Sequence, residues 1–243
     1  MKKLVLAALM TLSAGAALAA DGAKWTYEGE QGPEQWAKLS PDNYACNGKN
    51  QSPVDLTGTI HADLKPLKLE YQAGGNDIVN NGHTIQVGFA PGSALTLDGT
   101  RFELKQYHFH APSENLIGGK SYPLEVHLVH ADKDGNLAVV AVMFQEGAEN
   151  KALKAIWPSM PKDAGEKVAL PAPVSAAALL PAKRAYYRFS GSLTTPPCSE
   201  GVRWLVMKAP VSVSKQQVEA FSHLVHHANN RPVQALNGRA ILN

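Results

Sequence analysis

Residues 106–115 read QYHFHAPSEN, with His108 and His110 one residue apart and Glu114 close behind. In an extended strand residues i and i+2 share a face, so the two imidazoles project together and Phe109 points away. Further along, LEVHLVHAD reads as a second strand, on which Glu125, His127 and Val129 share a face and His130 opposes them. Two such strands side by side bring three imidazoles to one point. Three neutral imidazole nitrogens with a fourth position open are the donor set of catalytic zinc. Glu125, two residues before His127, is placed to accept the proton of that ring's far nitrogen and so to fix its tautomer. An isolated H-x-H is a weak signal, and the second strand is what raises the metal reading. His130, on the other face, reads as a buried structural histidine.

A rival pattern shares the first motif. H-x-H followed by three residues and a glutamate also opens the metal site of the cupins, where the glutamate itself is a ligand. A Pro-x-Gly-x-x-His segment with a later Asn should then follow. The residues before His127 are Pro123-Leu124-Glu125-Val126, without glycine, and Ala131 stands at the Asn position. The cupin reading is therefore the minor one. His223, His226 and His227 fall on a predicted final helix, where His223 and His227 have i, i+4 spacing but no H-E-x-x-H glutamate. Exposed imidazoles near a helix C-terminus, favoured by the dipole, account for them better than a metal pair does. His61 falls in a predicted loop and carries no argument.

The elements that must position the histidines are mostly strands. LKLEYQ (67–72), HTIQVGF (83–89), ALTLDG (94–99), RFELKQYHFH (101–110), LEVHLVH (124–130) and LAVVAVMF (137–144) alternate or run apolar at strand length. Turn residues such as NNG, DGT and DKDG separate them, and AYYRFSGSL (185–193) and GVRWLVMKAP (201–210) follow. Two helices are expected, over 149–157 and 214–228, the second opened by Ser214 and Gln217 at capping-box spacing. The expected class is mainly β (α+β).

The first 19 residues have basic Lys2 and Lys3, an apolar run and Ala17-Leu18-Ala19, the pattern of a secretory signal peptide. The run is shorter than the roughly 20 residues of a spanning helix. This predicts export, to a bacterial periplasm, and a mature domain over 20–243 with no membrane span. Beyond the two leader lysines the chain holds 21 basic and 21 acidic residues, a balance that gives no reason to expect nucleic acid. No linker, charge block or repeat divides the chain, so one domain is expected. The two cysteines, Cys46 and Cys198, form an even, minimal set that favours one disulfide in an oxidising compartment.

QYHFH, the EVHLVH strand, NNGH at 80–83, NQSPVD at 50–55, GSLTTPPC at 191–198, GPEQW at 32–36 and NNRPVQ at 229–234 together resemble the α-class carbonic anhydrases. The matches fall in family order from Trp25 to Arg239. The resemblance implies a single domain on a large, twisted, mostly antiparallel sheet with a few short helices. A conical cleft would hold Zn2+ on His108, His110 and His127, those rings being fixed by Gln106, Asn229 and Glu125 respectively. It implies reversible hydration of carbon dioxide to bicarbonate and a proton, by attack of a zinc-bound hydroxide. Glu114, not a ligand, would accept a hydrogen bond from Thr194. Val129, Val139, Leu193, Thr194, Thr195 and Trp204 would surround the substrate, and His83 would carry the proton out. Gln86 departs from the shorter Asn of the best-known relatives. The resemblance also implies a Cys46–Cys198 bridge and cis bonds at Ser52-Pro53 and Pro196-Pro197. Bacterial relatives are often homodimers, although no interface signature stands in this sequence. A catalytically inactive binding protein on the same fold is the alternative, and loss of a ligand or of the threonine would mark it. Neither is lost.

Overall fold

The computed structural model describes residues 24–243; the leader expected over 1–19 lies outside the described residues. Eleven strands form one mixed sheet, along whose main path neighbouring strands are hydrogen-bonded. Its order is Lys167–Ser175, Ala73–Asn80, Ile85–Phe89, Thr100–His110, Leu124–Ala131, Leu137–Glu146, Glu200–Met207 and Tyr186–Ser192. Adjacent strands on this path run antiparallel except Glu200–Met207, which lies parallel to Leu137–Glu146. The mostly antiparallel expectation holds. Among the described residues no helix is long and apolar enough to cross a membrane.

The Leu137–Glu146 strand shows why the sheet centre reads as a continuous apolar run. Ala138, Val140, Val142 and Phe144 face one core, shared with Phe109, Trp157 and Phe221. Val139, Ala141 and Met143 face a second, shared with Phe189 and Trp204. A strand covered on both faces has no polar side to show.

The Thr100–His110 strand contains a device that simple alternation does not anticipate. Leu104 pairs with His130 and Gln106 with Val129, so Lys105 is an extra, exposed residue without a partner. Such a bulge reverses the parity of the side chains beyond it. Before it, the even residues Phe102 and Leu104 face the first core; after it, the odd residues Tyr107 and Phe109 do. Gln106, His108 and His110 are thereby turned to the opposite face. Without the bulge His108 would point into the same core as Leu104.

Several expected boundaries shift, each for a local reason. The first expected helix is α-helical over Lys151–Ile156, capped by the Asn150 side chain and continued by a 3-10 turn at Trp157–Ser159. The second spans Lys215–Val225, with the Ser214/Gln217 capping box formed. It does not reach 228, because His226 takes a left-handed conformation, φ 61°, and ends it. His227 therefore lies beyond the helix, and the helical i, i+4 pairing with His223 does not exist. Strands at Ala73–Asn80 and Lys167–Ser175 were not anticipated. The first carries Gly74 and Gly75, and the second carries Pro171 and Pro173, tolerated because it is an edge strand. Cys46 and Cys198 are joined, and Ser52-Pro53 and Pro196-Pro197 are cis, as is Ala111-Pro112.

His130 is fully buried on the core side of its strand, as expected. Its Nδ1–H donates to the Ala138 carbonyl at 3.2 Å, so Nε2 accepts from the Tyr71 hydroxyl at 2.8 Å. Accepting from Tyr71 needs the neutral ring, and burial, outweighing the opposite pull of the Ala138 carbonyl, pushes its pKa from 6.5 down to about 4. A folded-state value below the unfolded one gives stability that is complete above pH 6.5 and lost as pH falls toward 4. The loss reaches about 3 kcal/mol by pH 4. Metal-free protein unfolded by denaturant between pH 7 and pH 4 should lose stability more steeply than its His130→Gln variant. Equal slopes would remove His130 from this role.

Candidate metal centre

Cross-strand register assembles the site. His108 stands directly opposite His127, Gln106 opposite Val129 and His110 opposite Glu125. His108, His110 and His127 each offer one ring nitrogen to a common point, the three atoms lying within 4.8 Å of one another. His110 and His127 are buried and His108 is nearly so. Burial pushes all three pKa values down, with the neighbouring imidazoles adding to the effect at His108 and His127. The rings are therefore neutral, as a metal ligand must be.

The far nitrogen of each ring is fixed. His108 Nδ1–H donates to Gln106 Oε1 at 2.8 Å, and His110 Nδ1–H to the Asn229 backbone carbonyl at 2.7 Å. His127 differs, donating from Nε2 to Glu125 Oε1 at 2.9 Å. The inward atoms are thus Nε2, Nε2 and Nδ1. His110 Nε2 is fully buried and makes no hydrogen bond. A buried orphan acceptor is costly unless something fills the site, and three converging imidazoles suit a divalent metal. The donor set fits.

The partners are themselves held. Glu125 also accepts from the backbone amides of Glu114 (2.7 Å) and Asn115 (2.9 Å) and from Asn115 Nδ2 (2.8 Å). Burial raises its pKa and these donors lower it, burial having the larger effect. A dication at the imidazoles would add to the donors and favour the carboxylate. The Asn229 side chain bonds Ala111 N and the carbonyls of Phe109 and His83, so it steadies the ligand strand and the His83 turn together.

Glu114 is buried beside the ligands, its Oε2 lying 3.5 Å from His110 Nε2 and 3.8 Å from His127 Nδ1. It is not among the side chains that converge as a metal set. Its Oε1 accepts from Arg231 N at 2.9 Å, while Oε2 has no hydrogen bond of standard geometry. The Thr194 hydroxyl nonetheless acts on this carboxyl, pulling its pKa down against the larger rise caused by burial. The two groups are neighbours, but their hydrogen bond is not closed to standard geometry.

A cavity of about 120 Å³ opens on the ligands, lined by Trp25, Tyr27, His83, Gln86, Gln106, His108, His110 and Thr195 among others. His83 is half-buried and stacked on Trp25, ring centres 3.7 Å apart. Its pKa lies below the usual imidazole value because of burial and then of His227 nearby. Val139 and Trp204 are buried in the second core, with Val129 and Leu193 packed against it. The Trp204 ring meets the His127 ring edge-on at 4.8 Å. Sequence reasoning did not single out Trp25, Tyr27 or Arg231 as contributors. Their only sequence signal was to lie in or beside the motif runs.

Three converging histidines on a large β-sheet, two of them lining a cavity, are a group that could hold a metal ion with room for a further ligand. The family model for eukaryotic-type carbonic anhydrases matches residues 31–243. A carbonic anhydrase of Pectobacterium carotovorum is 52% identical, covering 97% of each chain. The α-carbonic anhydrase of Thermovibrio ammonificans, solved with the inhibitor sulfanilamide, superposes with a TM-score of 0.90 at 49% identity, covering 91% of this chain and 100% of that one. Dioscorin, solved in complex with ascorbate, superposes with a TM-score of 0.84 at 30% identity over 90% of this chain and 97% of its own. The chain belongs to the α-carbonic anhydrase family, enzymes of reversible carbon dioxide hydration.

If the three imidazoles hold the metal, His108→Ala, His110→Ala or His127→Ala should each leave the dialysed protein with far less than one divalent ion per chain. Glu125→Ala should be milder, costing about 10–100-fold in metal affinity. Metal analysis with competing chelator reads both, and full occupancy in any histidine variant would refute the assignment.

Proposed function

We propose that the protein is an exported zinc enzyme that hydrates carbon dioxide, with His108, His110 and His127 as ligands. The observation that carries this is the fixed set of far nitrogens, held by Gln106, the Asn229 carbonyl and Glu125, which leaves three lone pairs aimed at one point. Zinc there would supply Lewis acidity that brings the pKa of water at its open position to about 7, a figure for which carbonic anhydrase is itself the standard case.

The chain's own groups do the rest. Carbon dioxide is apolar and small, so it needs a dry wall beside the reacting oxygen; Val129, Val139, Leu193 and Trp204 supply it. A dication at the imidazoles would offset the burial that raises the Glu114 pKa and favour its ionised form. That form can only accept, so a Thr194 hydroxyl donating to it has only lone pairs left to offer. The reacting oxygen must then donate its own hydrogen to Thr194, which orients one of its lone pairs for attack. Thr195 lines the same cavity. Each turnover also releases a proton. His83 lines the cavity, and its lowered pKa leaves the ring neutral and ready to accept near pH 7. Trp25 and Asn229 hold it there by stacking and by the bond to its backbone carbonyl.

Export to the periplasm belongs to the same proposal. The residues before Ala20 have the pattern of a signal peptide, and the Cys46–Cys198 bridge suits an oxidising compartment. The domain over 20–243 would be the mature enzyme.

Stopped-flow measurement of carbon dioxide hydration by zinc-loaded protein tests the activity directly. His83→Ala should lower kcat in dilute buffer on the order of 10-fold or more, leave kcat/KM nearly intact, and recover with added imidazole. An equal fall in both constants without rescue would place His83 outside proton transfer. Thr194→Ala should retain zinc yet lose much of kcat/KM and bind aromatic sulfonamides more weakly; unchanged values of both would remove Thr194 from the mechanism.

A further inference from the structure

Arg231 is 2% exposed, yet none of its side-chain hydrogen bonds goes to a carboxylate among the described residues. Nη1 donates to Gln51 Oε1 at 2.8 Å and to the Ser52 carbonyl at 2.9 Å, and Nη2 donates to the Cys46 carbonyl at 3.2 Å. The guanidinium also lies over the Trp36 ring, 5.4 Å from its centre. Burial lowers its pKa to about 10, so it stays charged near neutrality.

The three residues it grips lead to the two ends of the turn that carries Thr194. At the near end, Ser52 and Ser192 clasp each other: Ser52 N donates to Ser192 Oγ at 2.9 Å, and Ser192 N to Ser52 Oγ at 3.1 Å. Gly191 permits this approach, since a Cβ there would stand 2.1 Å from Ser52 Oγ. Beyond Thr194, Gln51 Nε2 donates to the Cys198 carbonyl at 3.1 Å, and Cys198 is covalently tied to Cys46. The backbone amide of Arg231 itself holds Glu114 Oε1. One residue therefore touches Glu114 directly and both flanks of the Thr194 turn at one remove.

We infer that the Arg231 guanidinium is a positioning group for the hydration reaction, setting the Leu193–Pro197 turn at the distance from Glu114 at which Thr194 can work. The inference rests on the role proposed for Thr194. Arginine suits the task because its planar fork spans several carbonyl-type oxygens at once, whereas a lysine ammonium is a single point charge. Charge alone is not the requirement.

The test is a double-mutant cycle. Arg231→Lys and Gln51→Met are each made alone and in a Thr194→Ala background, and all variants are compared for metal per chain, kcat/KM and sulfonamide affinity. Hydrogen exchange of the Leu193, Thr194, Thr195 and Cys198 amides is followed in the metal-free proteins. Arg231→Lys is expected to keep one metal per chain, lose about 10–100-fold in kcat/KM, as misplacement of a reacting group does, and exchange the turn amides faster. Gln51→Met should show the same signature more weakly. In the Thr194→Ala background neither change should cost much further activity, because the interaction they serve is already gone. Losses that simply add to that of Thr194→Ala, or unchanged kcat/KM and exchange, would overturn the inference. If Arg231→Lys does not fold, Gln51→Met decides by the same criteria. If Thr194→Ala alone is fully active, the role given to Thr194 fails, and turn exchange in the metal-free variants still decides whether Arg231 sets the turn.

Discussion

Three imidazoles must sit in the dry floor of a β-sheet, remain neutral, and each turn one lone pair toward the same place. Everything around the site follows from that constraint. A buried imidazole has two nitrogens, and leaving either to chance allows the wrong tautomer or a rotated ring. The structure settles the matter by assigning each far nitrogen an acceptor of a different kind: an amide oxygen, a backbone carbonyl and a carboxylate. The carboxylate is the costly choice, since burying it raises its pKa. Three N–H groups from Glu114 and Asn115 offset that cost, and in doing so they pin the loop that presents Glu114. One acceptor thus fixes the His127 ring and also the segment that carries Glu114.

How much of this could be read from the sequence depends on whether the relevant rule is local. His108, His110 and His127, with Glu125 behind the last, were legible because period-2 alternation is a property of the chain itself. So was the capping box at Ser214 and Gln217. The bulge was present in the sequence but unread. In RFELKQYHFH the apolar residues switch from even, Phe102 and Leu104, to odd, Tyr107 and Phe109, and an extra residue at Lys105 explains the switch. The use of Nδ1 by His127 could not be read, because it depends on how the ring is turned toward Glu125. The edge strand Lys167–Ser175, with two prolines, lacks a pattern strong enough to distinguish it from a loop. His226 looked like a continuation of its helix, and only its left-handed backbone shows otherwise.

The roles carried over from the family separate along the same line. The disulfide is a covalent link and the two expected cis bonds are backbone features, and they stand in the structure as the resemblance implied. The Glu114–Thr194 bond depends on how two side chains are turned, and here the groups interact without a hydrogen bond of standard geometry. The distinction matters because dioscorin shares this fold at 30% identity. A common sheet guarantees the floor of the cleft, but function rests on the particular groups standing over it.

Those groups come from distant parts of the chain, which is why Arg231 matters. The three histidines lie on two neighbouring strands and need only the sheet to meet. Thr194 lies on a turn that leaves the sheet after Ser192 and returns at Glu200, so the ladder alone cannot set its height above the three histidines. Something outside the sheet has to do so. The Cys46–Cys198 bond ties one end of that turn to the N-terminal region, and Gln51, Ser52 and Cys46 are in turn gathered on one guanidinium. A hydrophobic residue in that place would leave three oxygens without partners, two of them backbone carbonyls that no side-chain change can remove. A buried arginine without a carboxylate partner in its own hydrogen bonds looks like a liability to stability. It becomes intelligible as the group that joins the N-terminal segment, the Thr194 turn and Glu114 into one arrangement around the reacting oxygen.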